Sequence, residues 1–113
     1  MVERTLKVVL DSHAFGRLES DAASSDRLRD LIAGSKIAVL LPKIIQDELQ
    51  ARSATPPSWL SYHEVPDATK ENADVLVSDD RRCRRRARSS RRFDRAMTYD
   101  QWVELLKNYG SAD

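Results

Sequence analysis

Two short stretches restrict the fold of this chain more than any others. Leu6-Lys7-Val8-Val9-Leu10 runs into Asp11-Ser12, and Val75-Leu76-Val77 runs into Ser78-Asp79-Asp80 and then arginines. Each is an apolar run of strand length that stops at carboxylates and hands over to a helix-like segment. Near-continuous apolar runs belong to strands buried on both faces, as in a parallel sheet. In open parallel sheets, ligands bind beyond the carboxyl ends of the strands, where the strand order reverses. Two strands that both end in aspartate therefore predict one acidic site, with Asp11 and Asp80 facing each other.

The remaining chain supplies the alternation that such a sheet needs. After the strand at 5–11, a helical stretch is expected around Ala14–Glu19, followed by a polar break at 20–25. Leu28, Leu31 and Ile32 recur at helical spacing, and Gly34 suits a helix stop. A second strand is expected over Lys36–Leu41. Pro42 follows it, at a position where a missing N–H costs a helix nothing, and the helix runs to Arg52. Two prolines mark residues 53–58 as a loop. Further strands are expected over Trp59–Val65, Ala73–Ser78 and Phe93–Thr98. Helices are expected over Asp67–Asn72, Asp80–Ala87 and Tyr99–Asn108, the last with Thr98 as its N-cap and Gly110 as its stop. Strands alternating with helices read as an α/β three-layer sandwich around a parallel sheet of four or five strands. Right-handed crossovers restrict its topology.

A length of 113 residues fits one domain spanning 1–113, and 33% charged with 41% hydrophobic residues is a globular rather than a disordered composition. The net charge of +1 conceals segregation, because arginines crowd residues 81–92 while acids are spread elsewhere. The single cysteine, Cys83, excludes an internal disulfide and a cysteine-based metal site, and fits a reducing, cytoplasmic compartment. No apolar segment follows the first residues as a secretion signal would require, and none reaches membrane-spanning length.

Taken together in order, four segments resemble a compact PIN domain, a metal-dependent nuclease fold found in toxin-type and RNA-processing proteins. They are Leu10-Asp11-Ser12, a strand ending in Asp beside a hydroxyl; Leu41-Pro42 leading into a helix that carries Glu48; Ala73-Asp74-Val75-Leu76-Val77-Ser78-Asp79-Asp80; and Met97-Thr98-Tyr99-Asp100-Gln101-Trp102. Together they cover most of the chain. The resemblance implies strand order 3-2-1-4-5, which sets the first and fourth strands side by side. It further implies cleavage of RNA with Mg²⁺ or Mn²⁺. An antitoxin protein and a second copy of the chain (a homodimer) are the protein partners this reading brings with it. The family's third acid usually opens a helix before the fourth strand. Here the segment between Pro66 and Asp74 is short, so Asp67, Glu71 and Asp74 remain alternatives for it.

The chemistry accounts for such clustering. Hard divalent cations prefer oxygen ligands and retain several waters, so a few carboxylates suffice. Such an ion activates water and stabilises charge on a phosphodiester in transition. Asp11, Glu48 and Asp80 are the expected catalytic ligands, with Asp67 and Asp74 as further metal candidates. Ser12 and Ser78 are expected to hold carboxylates or water by hydrogen bonds.

Each of these residues also has a plainer reading. Asp11, Asp79, Asp80 and Asp67 are all suited to capping helices, Asp47 competes with Glu48, and Asp74 can order the start of its strand. His13 and His63 lack partners at metal-ligand spacing, and Trp59 and Trp102 suit a core or an interface. The arginine run is harder to explain as solvation. Like charges at helical spacing repel unless an anion is near. Arg81, Arg82, Arg84, Arg85 and Arg88 are therefore expected to hold nucleic-acid backbone, with an acidic protein as the competing partner. A phosphatase-like hydrolase also begins with Asp after its first strand. Asp11-Ser12-His13, however, lacks the second aspartate two residues on that the dehalogenase-like group uses.

Overall fold

The computed structural model describes residues 5–65, 73–90 and 93–109. The described residues form five strands and five helices. They are β1 (Leu6–Leu10), α1 (Ser12–Glu19), α2 (Ala22–Ala33), β2 (Ile37–Pro42), α3 (Lys43–Ala51), β3 (Tyr62–Val65), β4 (Ala73–Val77), α4 (Arg81–Ser90), β5 (Phe93–Met97) and α5 (Tyr99–Asn108). The strands form one parallel sheet in the order β3-β2-β1-β4-β5. This is the α/β architecture that the alternation of elements led us to expect, in the strand order that the family resemblance implied.

Connections run from β1 to β2 in one direction along the sheet and from β4 to β5 in the other. Right-handed crossovers then place α1, α2 and α3 on one face and α4 on the opposite face. The packing agrees: α2 contacts both α1 and α5, whereas α4 rests on β4 and β5. The chain thus reverses between β1 and β4, which are neighbours. Their register pairs Leu10 with Val77. The next residues, Asp11 and Ser78, emerge side by side at the carboxyl edge.

β1 and β4 are apolar because both faces are covered. Val8, Leu10, Val75 and Val77 are fully buried, and Phe15, Leu18, Leu28, Trp102 and Leu106 close over one face from α1, α2 and α5. Burying an aliphatic or aromatic side chain of this kind stabilises by about 1.5–3 kcal/mol. Trp102 is wholly buried and packs edge-on against Tyr99. Truncating it to alanine would cost roughly 3–5 kcal/mol.

Several boundaries differ from the sequence reading for local reasons. The stretch at 20–25 is not a break, because α2 begins at Ala22. Asp21 caps it by accepting from the Ser24 N–H at 3.2 Å, and Ser25 Oγ donates to the Leu18 carbonyl at 2.7 Å. The Ser25 hydroxyl is thus satisfied by the preceding helix, α1. Gly34 is the C-cap of α2 but has φ −84°; the left-handed residue is Ser35, at φ 60°. β3 starts at Tyr62, three residues later than expected, and α4 extends to Ser90. Thr98 caps α5 in a full capping box with Gln101. The helix expected over Asp67–Asn72 and the stop expected at Gly110 lie outside the described residues. Among the described residues, no helix is long and apolar enough to cross a membrane.

Candidate active site

Asp11 leaves β1 as the N-cap of α1 and is only 6% exposed. Both of its carboxylate oxygens are engaged. Oδ1 accepts from the Ala14 N–H at 2.9 Å and Oδ2 accepts from Ser78 Oγ at 2.6 Å. Ser78 is completely buried. Its hydroxyl also accepts from the Asp80 N–H at 3.1 Å. One serine therefore ties the ends of β1 and β4 together and sets Asp80 beside Asp11. Asp80 is exposed, and its Oδ1 accepts from the Arg82 N–H at 2.9 Å, capping α4. The ligand and cap readings of these aspartates are not exclusive. Capping orients the side chain while lone pairs remain for another partner.

Glu48 joins from α3. Its Oε1 accepts from Ser12 Oγ at 3.1 Å, and Ser12 is buried directly after Asp11. Asp47, its competitor, turns away to Lys43 at 3.0 Å. Ser12 Oγ also accepts from an Arg52 guanidinium nitrogen at 3.2 Å. Arg52, the C-cap residue of α3, went unnoticed in the sequence because Ser12 is 40 residues away.

Cys83 reports on the same locus from α4. Burial is the largest influence raising its thiol above the ordinary value, a Ser78 hydrogen bond opposes it, and the charges of Asp11, Asp80 and Glu48 raise it further. Three carboxylates from three elements thus act on one thiol. Among the described residues, no group of three Asp, Glu, His or Cys side chains is drawn together closely enough to hold a metal ion. Asp11 is buried with both carboxylate oxygens engaged, whereas Asp80 and Glu48 are exposed and each has one carboxylate oxygen engaged. The donor set, all oxygen, matches a hard divalent cation.

The other candidates lie elsewhere. Asp74 is buried near the start of β4, where Oδ2 accepts from the Lys7 N–H at 2.8 Å. It orders the start of the β1–β4 pair and is not brought together with Asp11 and Asp80. Asp67 and Glu71 lie outside the described residues. His13 and His63 are exposed on α1 and β3. Trp59 packs partly buried against the core ahead of β3, with the Arg29 guanidinium 5.8 Å from its ring.

The arginines of α4 divide into two groups. Arg84 is half-buried and donates to the Ser78 carbonyl at 2.8 Å, and Arg88 donates to the Ala96 carbonyl at 3.3 Å. Arg81, Arg82, Arg85 and Arg86 are exposed, and their side chains make no ion pair or hydrogen bond among the described residues. Arg81 and Arg82 also stand in the first turn, which contains no acid. Cations at that end oppose the helix dipole by about 0.3–1 kcal/mol each. Helix stability therefore does not explain their placement.

A second charged group lies next to the site. Arg17 pairs with Asp79 at 2.7 Å and with Asp100 at 3.0 Å, and its guanidinium sits 4.4 Å from the Tyr99 ring centre. Asp79 accepts from the Tyr99 N–H at 3.0 Å. This bond, with Arg17 adding to it against partial burial, holds the Asp79 carboxyl below its ordinary value. Tyr99 Oη donates to Asp21 at 3.1 Å, while burial foremost pushes the Tyr99 hydroxyl far above its usual range. Asp79 is thus a clamp between α1 and α5, a role the sequence did not disclose.

Comparison with protein-family models, with curated proteins and with solved structures finds no match to this chain.

Proposed function

We propose that this chain is a divalent-metal-dependent endoribonuclease of PIN-like design. The observation that carries this reading is the Asp11–Ser78–Asp80 linkage at the carboxyl edge, joined by Glu48 through Ser12, beside a helix whose outer arginines have no partner among the described residues. Paired acids at a strand reversal are suited to a hard cation, and unpaired arginines are suited to phosphates. Here Asp11, Asp80 and Glu48 would hold Mg²⁺ or Mn²⁺, which when bound supplies a nucleophilic hydroxide and stabilises charge on the phosphate. Ser78 keeps Asp11 and the Asp80 backbone in register. Ser12 keeps Glu48 turned toward the same edge. Arg81, Arg82 and Arg85 hold the strand by its backbone without reading sequence. An antitoxin or a second copy of the chain fits the toxin-type form of this reading.

The test is an RNA cleavage assay with added Mn²⁺ on wild type and Asp11→Asn, beside thermal melts of both. Asparagine still caps a helix, so the variant should melt close to wild type while metal-dependent cleavage disappears. Cleavage at the wild-type rate would remove Asp11 from the mechanism. If neither protein binds Mn²⁺ or cuts RNA while wild type still binds RNA, the chain is a binding module instead.

A further inference from the structure

We infer that Arg52 is a positioning residue for the acidic site, acting on Glu48 through the Ser12 hydroxyl; this rests on the metal-dependent reading above. A serine hydroxyl has one proton to give and two lone pairs to receive with, and a guanidinium can only donate. The direction of the chain is therefore unambiguous. Arg52 donates to Ser12 Oγ at 3.2 Å, and the single Ser12 proton goes to Glu48 Oε1 at 3.1 Å. Ser12 is 5% exposed, so little water competes for that hydroxyl.

The geometry has a consequence for Glu48. It is an exposed residue in the middle of α3, and ordering a long side chain of this kind costs rotamer entropy. The hydroxyl, held by Arg52, offsets part of that cost by fixing one oxygen. Oε2 remains without a hydrogen bond among the described residues, available to a cation. Arg52 and Glu48 are four residues apart on one helix, yet they meet through Ser12 and form no direct ion pair among the described residues. A direct pair would occupy the carboxylate, whereas contact through the hydroxyl orients it.

Positioning and simple electrostatics make opposite predictions. A cation beside an acidic site weakens metal binding, so removing a bystander arginine should tighten it. Removing a positioning arginine should loosen it. The experiment is calorimetric titration of Mn²⁺ into wild type, Arg52→Ala, Ser12→Ala and the double variant, with thermal melts to confirm folding. Arg52→Ala should weaken Mn²⁺ about tenfold, at the low end for partners that orient metal ligands. Ser12→Ala should weaken it similarly. The double variant should be no weaker than Ser12→Ala alone, because Arg52 acts only through that hydroxyl. Equal or tighter binding by Arg52→Ala, or additive losses in the double variant, would overturn the role of Arg52. If wild type binds Mn²⁺ and Asp11→Asn does not, such a result leaves the metal site standing and removes only Arg52. A wild type that does not bind Mn²⁺ overturns both.

Discussion

Asp79 and Asp80 are adjacent in sequence and belong to different parts of the molecule. Asp79 turns toward α1 and α5, where each charge has a partner: Arg17 with Asp79 and Asp100, and Tyr99 with Asp79 and Asp21. Asp80 is tied by its backbone N–H to Ser78 and by its carboxylate to the start of α4, where Arg81, Arg82, Arg85 and Arg86 have no side-chain partner among the described residues. The contrast separates charges paired within the fold from charges left facing solvent. Surface ion pairs contribute little singly, roughly 0–1 kcal/mol. In the first group a backbone N–H and an aromatic face make up the difference. In the second, two arginines sit at the unfavourable end of a helix.

The sharpest test of this contrast is to neutralise each aspartate in turn. Asp80→Asn should lower metal-dependent RNA cleavage by at least about 10³-fold, since a lost ligand removes several kcal/mol of charge stabilisation, and leave the melting temperature nearly unchanged. Asp79→Asn should do the reverse, retaining cleavage well below its own melting point. Equal losses of activity in both would show that the two aspartates are not divided in this way.

The next effect concerns RNA affinity. Replacing Arg81, Arg82 and Arg85 with alanine should flatten the log–log salt dependence of single-stranded RNA binding by about two units if all three reach phosphate. It should weaken unrelated sequences alike. Turnover at saturating RNA should change far less, because these contacts persist equally in ground and transition states. Arg84 and Arg88 already bind backbone carbonyls, so replacing those two should flatten the slope less. Identical salt lines for wild type and the first triple variant would redirect the arginine face toward an acidic protein partner.

A smaller effect belongs to the clamp. Asp79→Asn should cost roughly 1–2 kcal/mol, from a hydrogen bond to a charged group and an exposed ion pair, and Arg17→Ala should lower stability in the same direction. For Asp79→Asn that is about 5–10 °C in melting temperature for a domain of this size. The double variant should lose less than the sum of the two, since the residues share one contact.

The smallest effect is acid sensitivity. The Tyr99 N–H holds Asp79 low, and hydrogen bonding from Ser24 does the same for Asp21. A carboxyl whose folded value lies below its unfolded one contributes stability above the ordinary value of 3.8 and loses it as pH falls through the folded value. The stability gap between wild type and Asp79→Asn should therefore hold at neutral pH and close below about pH 4. Acid titration of urea midpoints for both proteins measures this; a gap that widens in acid would contradict the assignment.

What could be read from the sequence was local. The burial of β1 and β4 was visible as nearly uninterrupted apolar runs, and the α5 cap as Thr98; the reciprocal bond from Gln101 came from the structure. Asp11 and Asp80 were visible because each ends such a run. The helix start at Ala22 was hidden, since Ser24 and Ser25 resemble loop residues until Leu18 supplies an acceptor. The clamp was hidden for a different reason: Arg17 finds Asp79 and Asp100 at separations of 62 and 83 residues, and no spacing rule spans such distances. Asp74 looked like a site residue because acids near a strand were the signal. Only the register shows it at the start of β4, beside Lys7.

In the proposed nuclease, Asp11, Glu48 and Asp80 hold one cation at the carboxyl edge of β1 and β4. Anomalous diffraction from crystals soaked in Mn²⁺ tests it most directly. A single peak is expected, bounded by these three carboxylates and about 2 Å from their nearest oxygens, with Asp80 turned away from the Arg82 N–H to reach it. A protein that cuts RNA with Mn²⁺ yet shows its ion elsewhere, with these three side chains unmoved, would contradict it.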